Sequence, residues 1–217
     1  MTDRTPRGCF ITLEGGEGTG KTTQIKHLCN RLAERGIETI QTREPGGTPA
    51  GEAVRNLLVS GDTDRWQPMS EALLNYAARV EHVTHTIAPA LERGIWVVSD
   101  RFADSTMAYQ GICQGVGRDR IETLHDTALG EFAPDLTLIL DLPVETALER
   151  ANRRNAGAPR SEDRFERMGQ SFHERLRAAF LEIARADPAR CQVIDANGTP
   201  EQVAARIWAS VTRTFGI

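Results

Sequence analysis

Short apolar runs alternate along this chain with longer stretches in which apolar residues recur every three or four positions. Cys9-Phe10-Ile11-Thr12-Leu13 is the first run and ends in Glu14 and glycines. Thr22 to Arg35 puts Ile25, Leu28, Cys29 and Leu32 on one helical face, with Gly36 as its C-cap. Ile37 to Thr42 predicts a second strand and Ala50 to Val59 a helix. Ser70 to Arg93 predicts a long helix that Pro89 bends or interrupts. Ile95 to Ser99 and Leu136 to Leu142 are nearly continuous apolar runs, the pattern of parallel strands buried on both faces. Further helices are predicted at Arg120 to Gly130, Val144 to Arg154 and Phe165 to Arg185. Val193 to Asp195 reads as a last short strand, and Thr199-Pro200 caps and opens the final helix.

Strand and helix in this alternation predict an α/β fold, a parallel sheet covered by helices on both faces. Ligands of such sheets bind at the C-terminal ends of the strands. Glu14–Gly15, Arg43–Glu44, Asp100–Arg101 and Asp141 are therefore expected on one rim. A single domain over 1–217 is expected, with a polar lid loop at 153–163.

The rim contains the strongest motif. Gly15-Gly16-Glu17-Gly18-Thr19-Gly20-Lys21-Thr22 matches G-x-x-x-x-G-K-[ST], after a strand and at the start of a helix. The glycines let successive N–H groups turn inward around a phosphate, and the helix N-terminus adds a positive dipole end. Lys21 supplies a charge to the outer phosphates, and the Thr22 hydroxyl is placed for Mg²⁺. Gly15 to Thr23 thus forms the expected site for the phosphates of a nucleoside triphosphate.

Composition narrows the field. With 26 Lys plus Arg against 30 Asp plus Glu, the net charge is −4, giving no global excess for gripping nucleic acid. No apolar run approaches the 18 or so residues of a membrane span, and the N-terminus lacks a secretory apolar stretch. Cysteines at 9, 29, 113 and 191 show no metal or redox spacing, which fits a cytoplasmic setting. Histidines at 27, 82, 85, 125 and 173 form no zinc pattern. Of the basic residues only Lys21 and Lys26 are lysines. Lys21 sits where a compact ammonium fits a phosphate cradle better than a guanidinium does.

Other segments point to the phosphoryl acceptor. Asp100 follows a buried strand and could hold Mg²⁺ through water, while Arg101 could bind a phosphate bidentately. Arg43-Glu44-Pro45-Gly46-Gly47 follows the second strand as a turn, and Arg79 lies four residues after Asn75 and three after Tyr76 on a helix.

From these residues the chain resembles the bacterial thymidylate kinases over nearly its whole length. The resemblance is carried by Phe10 to Thr23 (FITLEGGEGTGKTT), Thr42 to Thr48 (TREPGGT), Tyr76 to Arg79 (YAAR), Asp100-Arg101, Ser105 to Gly111 (STMAYQG), Pro134 to Leu138 (PDLTL) and Asp163 to Glu166 (DRFE). It implies a P-loop fold with a five-stranded parallel sheet. It implies transfer of the γ-phosphoryl group from Mg²⁺·ATP to dTMP, and a homodimer. Glu17 would bond the sugar 3′-OH, and Arg55 and Arg101 would hold the dTMP phosphate. Arg79, Thr106 and Gln110 would contact the thymine edge, and Tyr109 would crowd the 2′ position. Glu44 and Pro45 would join the substrate site, with Pro45 near the base after a cis peptide bond. Arg164, with Arg153, Arg154 or Arg160, would reach the transferring group from the lid, and Lys21, Arg101 and Arg164 would form the catalytic set.

One departure stands out. Where the family usually stacks a Phe on the base, this chain has Asn75, followed by Tyr76. Either Tyr76 takes over the stacking, which contributes about 1–3 kcal/mol in base binding, or the grip rests on Arg79 and edge contacts. Three other functions share the phosphate loop: a kinase for another nucleoside monophosphate, a nucleotide-switch ATPase and a silent nucleotide-binding module. T-R-E-P-G-G-T argues against the first. The absence of N-K-x-D argues against the second, and intact Gly20-Lys21-Thr22 with Asp100-Arg101 against the third.

Overall fold

The structure is a computed structural model that describes residues 7–155, 164–165 and 167–217. Of the expected lid loop, residues 156–163 lie outside the described residues, as do Arg160 and the side chain of Arg154.

Five strands form one parallel sheet: β1 (Phe10–Glu14), β2 (Thr39–Arg43), β3 (Trp96–Asp100), β4 (Leu136–Asp141) and β5 (Cys191–Asp195), in the order β2-β3-β1-β4-β5. β1 is central and wholly buried. Its side chains alternate between two cores. Ile11 and Leu13 pack with Ile25, Leu28 and Leu32 of α1 (Lys21–Glu34) and with Val203, Ile207 and Val211 of α9 (Pro200–Phe215). Phe10 faces the other way, against Ile87, Leu91, Val97 and Phe102. On that second face Ile139 meets Leu176, Phe180 and Ile183 of α8 (Gln170–Ala186). β2 is one of the two edge strands, and its sequence TIQTR is correspondingly mostly polar.

The helix expected at 70–93 is α3 (Pro68–His82), a π-helical turn over Val83–Ile87 and α4 (Ala88–Glu92). Pro89 lies just after the π-helical turn, within a run that stays helical on both sides. The remaining helices are α2 (Pro49–Val59), α5 (Ala103–Thr106), α6 (Arg118–Leu129) and α7 (Val144–Asn155). α5 runs into a second π-helical segment, Met107–Cys113, for which sequence periodicity predicted no element. Thr199 and Gln202 form a reciprocal capping box at α9.

Pairing aligns Leu13 and Arg43 with Asp100, and Glu14 with Ile139. The C-terminal ends of β1 to β4 therefore share one rim, as expected.

Candidate active site

The loop between β1 and α1 is shaped by glycines. Gly15, Gly18 and Gly20 all have positive φ, at 127°, 73° and 94°. A Cβ on Gly18 would lie 1.9 Å from the Ala147 carbonyl oxygen of α7, so only glycine lets this loop seat there. Lys21 Nζ donates to the carbonyls of Gly15 (3.0 Å) and Gly16 (2.8 Å). Burial and the neighboring Arg101 charge pull the Lys21 pKa down to about 8. The Thr22 hydroxyl donates to Asp100 Oδ2 at 3.0 Å. A hydroxyl oxygen beside a carboxylate is the donor set Mg²⁺ takes, one directly and one through water, so these residues fit that ion.

Beside the loop opens a cleft. Glu17, Glu44, Pro45, Arg55, Asn75, Arg79, Arg101, Phe102, Thr106, Tyr109 and Gln110 all line it. The chain thus brings together most of the residues expected to bind the acceptor.

Arg79 is the best defined of them. It is buried, donates from Nε to Glu44 Oε2 at 2.7 Å, and donates from Nη2 to the Phe102 carbonyl and to Thr106 Oγ1. Its Nη1 is buried and has no partner among the described residues. A buried, unsatisfied guanidinium nitrogen in a cleft wall is a site for a ligand acceptor. Glu44 acts as its brace. The second Glu44 oxygen pairs with His82 Nδ1 at 3.0 Å, and His82 Nε2 pairs with Thr42 Oγ1 at 2.6 Å, anchoring Arg79 to β2. Pro45 follows a cis peptide bond, and Arg55 Nη1 donates to its carbonyl.

Arg101 joins the cleft to the phosphate loop. It donates to the Gly15 carbonyl (3.0 Å), Ser105 Oγ (3.0 Å), Glu17 Oε1 (2.7 Å) and the Tyr109 hydroxyl (3.1 Å). Its φ of 72° is in the left-handed region, the one such case among described non-glycine residues. Burial pushes the Tyr109 phenol well above its ordinary pKa of 10, so it stays a hydroxyl and donates to Glu17 Oε1 at 2.9 Å. Beneath Arg101, Glu14 accepts from the Phe102 N–H and Ser105 Oγ. Its burial, with Asp104 nearby, raises its pKa to about 7.

Two expectations need correction. Tyr76 does not line the cleft. Its hydroxyl donates to His125 Nδ1 at 3.2 Å, while His125 Nε2 donates to the Phe132 carbonyl, and the ring packs with Ala72 and Ile121 between α3 and α6. From there it supports Arg79 from behind, with the guanidinium carbon 4.5 Å from its ring center. Asn75 takes the cleft position, its Nδ2 bonded to the Glu71 carbonyl. Arg164 is likewise drawn into the interior. It is buried (1% exposed) and donates to the carbonyls of Leu58, Asp62 and Thr63 and to Glu71 Oε1. It ties the loop after α2 to α3 and is not part of the cleft lining.

Sequence reasoning missed Glu71. Its signal was present, because Glu71, Asn75 and Arg79 recur every four residues on one face of α3.

Comparison with known proteins agrees with this geometry. A sequence model described as thymidylate kinase matches residues 13–207. The thymidylate kinase of Caulobacter vibrioides is 51% identical over 211 residues, covering 97% of this chain and 99% of that protein. That of Bradyrhizobium diazoefficiens is 52% identical over 206 residues, covering 94% and 89%. The crystal structure of thymidylate kinase from Ehrlichia chaffeensis superimposes with a TM-score of 0.74 at 35% identity, covering 95% of this chain and 99% of that one.

Proposed function

The chain belongs to the thymidylate kinase family, and from that premise we propose that it transfers the γ-phosphoryl group of ATP to dTMP, giving dTDP and ADP. The observation that carries the assignment is the cleft. Arg79, with its buried and unpartnered Nη1, lines one cavity together with the arginines Arg55 and Arg101, and Glu17 of the phosphate loop lines it too.

The backbone N–H groups of Gly15 to Thr23 and the Lys21 ammonium hold the ATP phosphates. Mg²⁺ held by Thr22, and through water by Asp100, would neutralize charge on the outer phosphates. On the acceptor side, Arg55 and Arg101 hold the dTMP phosphate. Glu17 accepts from the sugar 3′-OH, and the Tyr109 hydroxyl, held against Glu17 and Arg101, closes the space where a 2′-OH would sit. Arg79 donates to the base oxygen, and Thr106 and Gln110 complete the edge. Pro45 and Phe102 provide apolar walls in place of a stacked ring at 75.

No general base is needed. A phosphate monoester has a second pKa near 6, so at pH 7 it is already largely the dianionic nucleophile. Catalysis is then alignment and charge neutralization, by Lys21 and Arg101 among the protein groups.

Among the described residues no helix is long and apolar enough to cross a membrane, and all four cysteines are free, which supports a cytoplasmic enzyme. Exposed Leu57 of α2 (41%) and Leu73 of α3 (51%) lie on mutually packed helices and offer a homodimer an apolar contact, which size-exclusion chromatography with light scattering would detect.

The deciding experiment is ADP release from Mg·ATP with dTMP, dUMP, UMP, AMP and GMP side by side. dTMP should give the highest kcat/KM. Highest activity with AMP or GMP overturns the assignment, and phosphate release without any monophosphate favors a nucleotide-switch ATPase.

A further inference from the structure

Glu71 is 0% exposed, lies on α3 behind the cleft, and holds three side chains at once. Oε1 accepts from Arg164, and Oε2 accepts from Nε2 of Gln110 at 2.9 Å and of Gln114 at 3.1 Å. An ion-paired carboxylate only accepts hydrogen bonds, so both amides must turn their nitrogens toward it. That removes the usual two-fold freedom of the Gln110 amide. With Nε2 committed to Glu71, Oε1 is the atom Gln110 has left for the cleft it lines, and no described residue donates to that oxygen.

Toward a base edge the cleft therefore presents Arg79 Nη1 as a donor and Gln110 Oε1 as an acceptor. Thymine and uracil present the complement, the O4 acceptor beside the N3–H donor. Cytosine presents the reverse, an N4 amino donor beside the N3 acceptor, and meets like groups at both points. A site built for one hydrogen-bond pattern rejects the other because its buried groups are left unpaired.

We propose that Glu71 is a positioning residue that locks the Gln110 amide with its oxygen toward the substrate, and so sets the preference for a 4-oxo pyrimidine over a 4-amino one. This rests on the assignment of the cleft to a pyrimidine monophosphate. It concerns the choice between dTMP and dCMP, not between dTMP and dUMP, which share the same edge. Arg164 contributes by fixing the other carboxylate oxygen, so that Glu71 cannot rotate away.

The test is Glu71→Gln. The new amide can donate as well as accept, so Gln110 becomes free to turn over. The ratio of kcat/KM for dTMP to that for dCMP should fall about tenfold, the value of one exchanged hydrogen bond, mainly through KM and with kcat for dTMP retained. In a Gln110→Met background the same Glu71→Gln change should leave the ratio where Gln110→Met alone puts it. An unchanged ratio in Glu71→Gln with dTMP turnover intact overturns the proposal, and so does an equal fall in the Gln110→Met background. Should Glu71→Gln not fold, a crystal structure of the wild type with dTMP decides. The Gln110 amide should meet N3 while still bonded to Glu71, and an amide turned to O4 or O2 and detached from Glu71 overturns the proposal. A wild type that does not phosphorylate dTMP at all fails differently, because it removes the pyrimidine assignment itself.

Discussion

Arg164→Ala separates a brace from a catalytic arginine. Arg164 and Glu71 are 1% and 0% exposed, so their pairing is fully shielded from water. Truncation leaves the Glu71 carboxylate buried with only the Gln110 and Gln114 amides, and strips a donor from the carbonyls of Leu58, Asp62 and Thr63. Breaking a buried ion pair by removing one partner costs about 3–5 kcal/mol. In a domain of this size each kcal/mol lowers Tm by about 2–4 °C, so Arg164→Ala should melt roughly 6–20 °C below the wild type. Calorimetry reads that shift, and coupled ADP-release kinetics well below the transition read kcat. If Arg164 is a brace, kcat stays within a few-fold of wild type wherever the variant is folded. Replacing both partners, Arg164→Met with Glu71→Met, should recover part of the lost stability, since no unpaired charge remains. A variant that melts within about 2 °C of wild type while kcat falls a hundredfold or more would refute this account and return Arg164 to the transferring phosphoryl group.

Four more expectations follow from the site. Lys21→Ala should lower kcat by about 10²–10³ while dTMP binding, read by calorimetry, changes little. In the wild type, ATP affinity should be full below pH 8 and weaken as pH rises through the Lys21 pKa of about 8, because the phosphates need the ammonium form. Arg79→Met should raise KM for dTMP roughly 10- to 100-fold, the range for a hydrogen bond from a charged group, with a smaller effect on kcat. Glu14 holds its proton in the folded state up to about pH 7 but loses it near 4.5 when unfolded, so stability should fall as pH rises through that window and level off above it. Urea titrations at pH 5, 6, 7 and 8 check this, and an equally steep slope in Glu14→Gln would exclude Glu14 as its source.

The phosphate loop was legible because its chemistry is local. Glycines, Lys21 and Thr22 act within one turn between a strand and a helix, so sequence order and spatial order coincide. The inner strands β3 and β4 were legible for a similar reason, since burial on both faces writes itself as a nearly continuous apolar run. The segment from Ala103 to Cys113 was not, because its π-helical turns break the 3.6-residue period and its buried side chains include the polar Thr106 and Gln110. Tyr76 was misplaced by rotation. Residues 75 and 79 share a helix face, but 76 is turned about 100° away, toward α6. The role of Arg164 could not be read locally at all. Its partner Glu71 lies 93 residues earlier, and only the folded chain shows that the two meet.

Arg101 adopts a backbone conformation that glycine tolerates and arginine does not favor, at about 1–2 kcal/mol. For anyone engineering a hardier version of this enzyme, that makes position 101 a decoy. A search guided by backbone preference alone would nominate glycine there and delete the guanidinium that joins the cleft to the phosphate loop. A library screened only for yield or heat tolerance would thus be drawn toward a well-folded chain with no turnover, and a screen of this protein has to carry an activity readout from its first round.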